Sequence, residues 1–444
     1  MRVITDWHVH SKYSRACSQQ LTLENNALWC EKKGVNILGT ADFTHPKWFS
    51  EIEEKLEEVE QGMFSLHQSP SLASGGRDGG MRYMLTTELS QIYSRGGKTR
   101  RIHNLIFAPS IDTVRKIIAM LERRGCNLSA DGRPIIGVDS EELAKELFAI
   151  DEKILLIPAH AWTPWFSVFG SKSGFDSIEE CFGSMADRIY AIETGLSSDP
   201  AMNRTLSALD DLFLISNSDA HSPHNFGREA NVFEIPEGEV TYDEFFRILR
   251  EHDTSRFVST IEFFPEEGKY HYDGHADCQF FCAPAETKKL GNKCPKCGKA
   301  LTIGVLNRVS ELADRPIQSA VHSQFPSPIS QFYSIVPLEI LIADSLGIRT
   351  VSSKKVQAIY EELITKLGNE FSILLDVPAD EIRKVHPTVG EAIERVRAGK
   401  LRIRPGYDGV YGKVQVFSDT DRIRVPKQVL NKISLVHGRG DFRN

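Results

Sequence analysis

The most constraining feature of this 444-residue chain is a rhythm in its first 260 positions. Short apolar runs alternate with segments of helical spacing. The runs Val3 to Thr5, Val35 to Thr40, Tyr83 to Thr87, Asn104 to Phe107, Ile154 to Ile157, Arg188 to Ile192 and Leu212 to Ser216 read as strands. Thr22 to Lys33, Lys47 to Glu60, Ile111 to Arg124, Ser140 to Ala149 and Tyr242 to Glu251 read as helices. Such alternation predicts a parallel sheet or barrel. Seven strands suggest a distorted TIM-like barrel, whose site gathers at the C-terminal ends of the strands.

Those ends carry one class of side chain. His8 and His10 follow the first run, Asp42 and His45 the second, and Glu88 the third. His103 precedes the fourth, His160 follows the fifth, Glu193 the sixth, and Asp219 and His221 the seventh. A strand alternates its faces, so the two imidazoles of His8-x-His10 point the same way. Any one such histidine is more often an ordinary loop residue. Together, imidazoles and carboxylates converging on one face predict a multinuclear site for Zn²⁺, Mn²⁺ or a similar ion.

No run of eighteen apolar residues suggests a membrane span, and no apolar segment of signal-peptide type follows Arg2. Four of the eight cysteines cluster as Cys278-x3-Cys282 and Cys294-Pro-Lys-Cys297-Gly. That pattern predicts a structural zinc ribbon in a reducing compartment, the cytoplasm. His271 and His275 lie close enough to replace one cysteine. The net charge of −7 hides an asymmetry: residues 378–444 carry fourteen Lys/Arg against eight Asp/Glu, so the remainder carries −13. A basic tail beside an acidic, metal-holding body is compatible with a metallonuclease.

Two basic stretches are candidate DNA contacts. Arg95 to Arg101 includes Lys98, Arg100 and Arg101 just before His103; the plainer reading is a solvated turn. In Lys400 to Gly412, Arg402 and Arg404 alternate with apolar residues before Tyr407, Tyr411 and several glycines. Basic groups meet phosphates and tyrosines stack on bases; a simple hairpin explains the same letters. Segment 61–80 reads as a surface loop, and Phe325-Pro326-Ser327-Pro328 as a linker. Helices are expected over Val336 to Leu346, Lys354 to Leu367 and Ala392 to Gly399.

The His8-x-His10 pair, Asp42, Glu88, His103, His160 and Ser218-Asp219-Ala220-His221 resemble the PHP metallophosphoesterases. The finer text is similar to endonuclease Q, a PHP family of deaminated-DNA repair. Gly39 to Pro46, His160 to Phe166 running on to Gly170-Ser171-Lys172-Ser173-Gly174-Phe175, Glu193 to Pro200, Ser216 to Pro223, the ribbon and Pro405 to Gly412 carry that likeness. Two departures stand out: no third histidine follows His10 in Ser11 to Cys17, and Phe43 rather than His follows Asp42.

The resemblance implies an architecture and a site. The architecture is a PHP-type (β/α)7 barrel over 1–265, a ribbon over 266–310 and a helical, basic DNA-binding region with a small β element over 311–444. One metal falls to His8, His10, Glu88 and Asp219, and a second to Glu88, His103 and His160. His45 and His221 hold a third metal or orient the phosphate, while Glu193 and Asp42 stand behind the ligands. Asp219, Glu88 and His221 carry catalysis, with two or three ions of Zn²⁺, Mn²⁺ or Mg²⁺.

The implied substrate is single- or double-stranded DNA, cut 5′ to uracil, hypoxanthine, xanthine or an abasic site. The lesion must flip out of the helix. Trp162, Trp165, Phe166 and Phe169 are candidates to line its pocket, packing being the plainer role for each. Lys172 joins the DNA contacts. A sliding clamp as a further partner has no evident docking peptide; Gln428-Val429-Leu430 is too short a fragment. The competing readings are a PHP phosphatase for a small phosphate ester, which leaves ribbon and tail unexplained, and a non-catalytic zinc-ribbon DNA binder, which leaves Glu88 and Asp219 unexplained.

Overall fold

A computed structural model describes residues 1–67, 80–316 and 332–417. The described chain forms two compact units. One comprises Met1–Ile335 with Asn369–Phe371 and Arg404–Lys413; the other is built from Val336–Gly368, Ser372–Ile403 and the chain from Val414.

The first unit is mixed α/β. Its largest sheet has eight strands in the order β16-β13-β12-β1-β2-β5-β4-β3. These are β1 (Arg2–Asp6), β2 (Ile37–Gly39), β3 (Leu56–Glu60), β4 (Met63–Leu66), β5 (Arg82–Met84), β12 (Ala230–Glu234), β13 (Phe257–Glu262) and β16 (Phe332–Ser334). A four-stranded sheet orders β8-β6-β7-β9, from β6 (Thr86–Arg95), β7 (Lys98–Phe107), β8 (Ile135–Ile136) and β9 (Leu155–Pro158). A parallel pair, β10 (Ala191–Glu193) and β11 (Phe213–Ile215), accompanies them.

Pairing is parallel for β1–β2–β5, as the alternation predicts, but antiparallel between β6 and β7 from Thr86↔Phe107 to Arg95↔Lys98. The cause is local. Gly96 and Gly97 sit at φ +63° and +73°, which allows a two-residue hairpin turn and forces the chain straight back. The basic stretch is therefore the tip of this hairpin. The helix expected over Lys47 to Glu60 ends at Lys55, and Leu56–Glu60 becomes β3, paired with β4. Cross-strand pairing there overrides the helical preference of a glutamate-rich segment.

Helix Leu23–Lys33 begins where the Thr22 side chain accepts the Asn25 N–H and ends at Gly34, φ +87°. Beneath the ends of the strands lies an aromatic core. Trp7, 1% exposed, packs on Phe107 at 5.5 Å, Phe233 at 5.4 Å and Phe245 at 5.6 Å. Truncating Trp7 to Ala would cost about 3–5 kcal/mol, and it directly precedes His8.

The second unit is helical: Leu338–Leu346, Lys354–Leu367, Ala379–Val385 and Pro387–Arg397. Leu341, Ile342, Ile359, Tyr360, Leu363, Val389 and Ile393 form its interior. Its final helix starts five residues before the expected Ala392, because Pro387 occupies the first turn, where a missing N–H costs nothing. Among the described residues no helix is long and apolar enough to cross a membrane. Much of the basic tail, the 325–328 linker and Gln428-Val429-Leu430 lie outside the described residues.

Candidate active site

β1 delivers the first two ligands because its end is pinned. The Asp6 carboxylate accepts the N–H groups of Ser218 at 3.0 Å and Gly227 at 2.9 Å, and Trp7 N–H donates to Asn217 Oδ1 at 2.8 Å. Val9 then bridges Ala220, so the segments after β1 and after β11 run side by side. His8 and His10 emerge on one face, both fully buried. Asp42, His160 and Asp219 adopt left-handed backbone at φ +44°, +30° and +46°. Such conformations cost non-glycine residues energy and cluster at functional sites.

Three groups of donor atoms result, each within 4.8 Å: His8, His10 and Glu88; Glu88, His103 and His160; His10, Asp219 and His221. Glu88 belongs to two groups and His10 to two. Glu88 Oε1 lies 2.5 Å from His103 Nδ1 and 3.2 Å from His160 Nε2, while Oε2 faces His8 and His10 at 3.5 and 3.7 Å. Asp219 Oδ1 meets His10 Nε2 at 2.9 Å.

Behind these atoms stands a second layer. Glu193 holds His8 Nδ1 at 3.0 Å and accepts the His160 N–H at 2.7 Å. Asp42 faces His10 Nδ1 at 3.4 Å and is itself held by Ser11 and Ser14. Ser90 Oγ meets His103 Nε2 at 3.0 Å. Imidazoles oriented this way present their other nitrogen, the arrangement that metal-binding histidines use.

The charges are strongly coupled. Burial pulls His8 down, but Glu193 and Glu88 outweigh it and hold the ring well above its ordinary range. Burial likewise opposes His10, yet Asp219 and Asp42 raise it to about 9. Burial pushes Glu88 up, and His103, His8 and Arg133 nonetheless hold it well below the carboxylate range. Glu88 therefore stays ionised and faces imidazoles across short gaps. His8 Nε2 is buried and has no hydrogen-bond partner, a vacant donor direction toward Glu88. Nitrogen and carboxylate donors converging around such an orphaned atom fit a divalent cation.

Sequence reasoning missed Arg133. Its guanidinium lies 3.4 Å from Glu88 Oε2, and the charges of Glu88, Asp219 and Asp42 offset the cost of its burial. An isolated loop arginine carries no spacing signal. Arg228, which donates to the Ser218 and Asp219 carbonyls, is equally silent in sequence.

Several expected site residues fall elsewhere. His45 joins none of the donor groups among the described residues; its ring stacks on Tyr13 at 4.6 Å. Trp162 is 1% exposed, donates to Asn203 and packs on Phe169 at 4.8 Å, so neither ring is open to a base. Phe166 covers His103 at 4.7 Å, and Trp165 is exposed beside Tyr270. Arg100 lies 3.9 Å over Phe175 and donates to the Gly174 carbonyl; Arg101 lies over Phe166. Lys98, Lys172, Arg402 and Arg404 are exposed.

Tyr407 is buried against Phe281 at 4.9 Å and cannot stack on a base, whereas Tyr411 is 73% exposed. The neighbouring glycines serve the protein's own packing: a Cβ at Gly412 would lie 1.9 Å from the Glu266 carbonyl oxygen.

The cysteine cluster differs from expectation in one member. His275, Cys278, Cys294 and Cys297 bring their donor atoms within 4.8 Å. Cys282 is not in that group: its buried thiol meets Thr287 Oγ1 at 3.2 Å. β14 (Asp273–His275) and β15 (Phe280–Cys282) explain the exchange. His275 pairs with Phe280 at the turn end of this hairpin, beside Cys278, while Cys282 pairs with Asp273 at the other end.

Residues 337–400 match the family described as MJ0043 C-terminal domain. Uncharacterized protein MJ0043 of Methanocaldococcus jannaschii is 38% identical over 257 residues, 57% of this chain and 31% of that protein, so the chain spans under a third of that relative. Uncharacterized protein YqxK of Bacillus subtilis is 28% identical over 394 residues, 87% of this chain and 90% of its own. Two solved structures align over nearly everything. The lesion-specific endonuclease Q of Pyrococcus furiosus shares 30% identity at a TM-score of 0.80, covering 97% of this chain and 99% of that one. An endonuclease Q bound to a 27-mer duplex, with an abasic lesion at its active site, shares 31% identity at a TM-score of 0.80, covering 97% and 100%.

Proposed function

Since the chain belongs to the endonuclease Q family, we propose that it is a lesion-specific DNA endonuclease cutting the phosphodiester 5′ to deaminated bases or abasic sites. One observation carries this reading: side chains from distant strands bring three donor groups to one point, linked through Glu88 and His10. We read the sheets as the distorted PHP barrel of residues 1–265, followed by the ribbon and the helical C-terminal region. In a ribbon with free thiols we see a protein of the reducing cytoplasm.

His8, His10, Glu88 and Asp219 would hold one metal and Glu88, His103 and His160 a second; His221, with His10 and Asp219, faces a third position. Divalent cations bound there supply positive charge to the phosphodiester oxygens and acidify the attacking water. The chain's own residues do the rest. Glu193 and Asp42 fix the rings of His8 and His10. Arg133 places a guanidinium beside Glu88, where an incoming phosphate would meet it. Phe166 covers His103 and limits water on that side. The exposed Trp165 and Tyr411 offer faces to a partly unstacked duplex. Lys98, Lys172, Arg402 and Arg404 supply phosphate contacts, and zinc in the ribbon holds the small β element together.

The test uses end-labelled duplexes bearing uracil, hypoxanthine or an abasic site, incubated with divalent metal. Undamaged duplex and a small phosphomonoester serve as controls. Nicking only at the lesions, lost in Asp219→Asn, is the expected result. Near wild-type cleavage by Asp219→Asn, or preference for the phosphomonoester, would reject the reading.

A further inference from the structure

The strand pair that carries Glu193 has no ladder to the sheet that carries His8. Among the described residues β10 and β11 pair only with each other, whereas β1, β12 and β13 belong to the eight-stranded sheet. Side chains therefore set where Glu193 stands relative to His8. One of them lies away from the metal donors: Glu262, the last residue of β13, is fully buried. Its Oε1 accepts the hydroxyls of Ser216 and Thr260, and its Oε2 lies 3.3 Å from Thr194 Oγ1.

Thr194 follows Glu193 in the chain, and Ser216 precedes Asn217. Both neighbours orient the site. Glu193 holds His8 Nδ1 at 3.0 Å. Asn217 Nδ2 donates to Glu193 at 2.9 Å, and Asn217 Oδ1 accepts the Trp7 N–H at 2.8 Å. A shift of Thr194 or Ser216 thus moves the carboxylate that aims His8 and the amide that pins the end of β1.

The hydrogen bonds around Glu262 call for a proton on its carboxyl. Thr194 Oγ1 also approaches Ser216 Oγ at 2.6 Å and the Ile215 carbonyl at 3.2 Å. These five oxygen–oxygen approaches have three hydroxyl protons to share, those of Thr194, Ser216 and Thr260. A neutral carboxyl supplies a fourth, donated from Oε2 to Thr194. Burial favours the same form, and so does the charge of Asp199. Glu229, also fully buried, adds to it, and its own Oε2 has no hydrogen-bond partner.

We propose that Glu262 is a positioning residue for the metal centre: through Thr194 and Ser216 it fixes Glu193 and Asn217, and with them the ring of His8. The inference rests on the metal site of the endonuclease reading above.

The experiment titrates the whole chain, purified with zinc in its ribbon, with Mn²⁺ and follows free Mn²⁺ by electron paramagnetic resonance. Wild type is compared with Glu262→Leu, Glu262→Gln and Thr194→Val. Leucine stays apolar and buried but accepts no hydrogen bond, whereas glutamine keeps an N–H for Thr194. Glu262→Leu and Thr194→Val are expected to weaken Mn²⁺ binding by about tenfold or more, with Glu262→Gln staying within about twofold of wild type. Excess Mn²⁺ should restore lesion nicking in the weakened variants. Thr194→Val carries the test if the leucine variant does not fold. Affinity within about twofold of wild type in Glu262→Leu or Thr194→Val overturns the proposal, as does an equal loss in Glu262→Leu and Glu262→Gln. Wild-type protein that binds no Mn²⁺ would instead reject the endonuclease reading itself.

Discussion

His8 turns its two ring nitrogens to two different carboxylates: Nδ1 lies 3.0 Å from Glu193, and Nε2 faces Glu88 at 3.5 Å without completing a hydrogen bond. One nitrogen is held and the other is presented. His10 also sits between two carboxylates, but both of its nitrogens are engaged, with Asp42 at 3.4 Å and Asp219 at 2.9 Å. Glu193 lies at the end of β10, which pairs only with β11 among the described strands, so its placement sets the direction of a ligand on another sheet.

Removing that hold should loosen the metal before it harms the fold. Glu193→Gln is expected to lower divalent-metal affinity by roughly 10–100-fold. Excess metal should restore part of the nicking rate. Metal titration followed by elemental analysis reads this directly, and unaltered affinity would show that Glu193 does not position His8.

The ribbon prediction distinguishes two residues that sequence spacing treats alike. His275→Ala should abolish stoichiometric zinc in the ribbon, whereas Cys282→Ser should retain it. The serine variant exchanges one buried hydrogen-bonding group for another and should lose only about 1 kcal/mol. Zinc retained in His275→Ala and lost in Cys282→Ser would restore the four-cysteine set.

Arg402 is exposed and free to meet a phosphate. Arg402→Glu should weaken duplex binding without changing metal content. The slope of log Kd against log salt should flatten by about one contact. Equal affinity and slope across a salt series would remove this strand from the DNA surface.

Glu262 makes stability depend on pH. Burial drives this carboxyl from 4.5 to about 8, against hydrogen bonds from Ser216 and Thr260 that pull it back. The folded protein thus keeps the proton while the unfolded chain releases it above about 4.5. The contribution is full below the unfolded value and is lost as pH rises through 8, at about 1.4 kcal/mol per unit of separation. Glu262→Gln should match wild type in melting temperature near pH 4.5 and exceed it increasingly toward pH 8. A parallel pH dependence in both proteins would contradict this.

Sequence alone determined the inventory of the site. Strand ends are legible because apolar runs stop abruptly, and period two makes His8 and His10 neighbours on one face. Glu88, His103, His160, Asp219 and His221 are legible as ligand-type residues beside those runs, as is the helical character of residues 338–346 and 354–367. Tertiary structure decided which donors meet. His45 leaves the cluster because its ring finds Tyr13, and His275 replaces Cys282 because hairpin register sets which side chain faces the other thiols. The hairpin at Gly96-Gly97 turned a predicted parallel neighbour antiparallel. Arg133 and Tyr407 make the same point from opposite sides: one comes within reach of Glu88, and the other is sealed behind Phe281. Spacing along a chain records local periodicity, whereas contact between residues far apart in sequence depends on how the sheets close over one another.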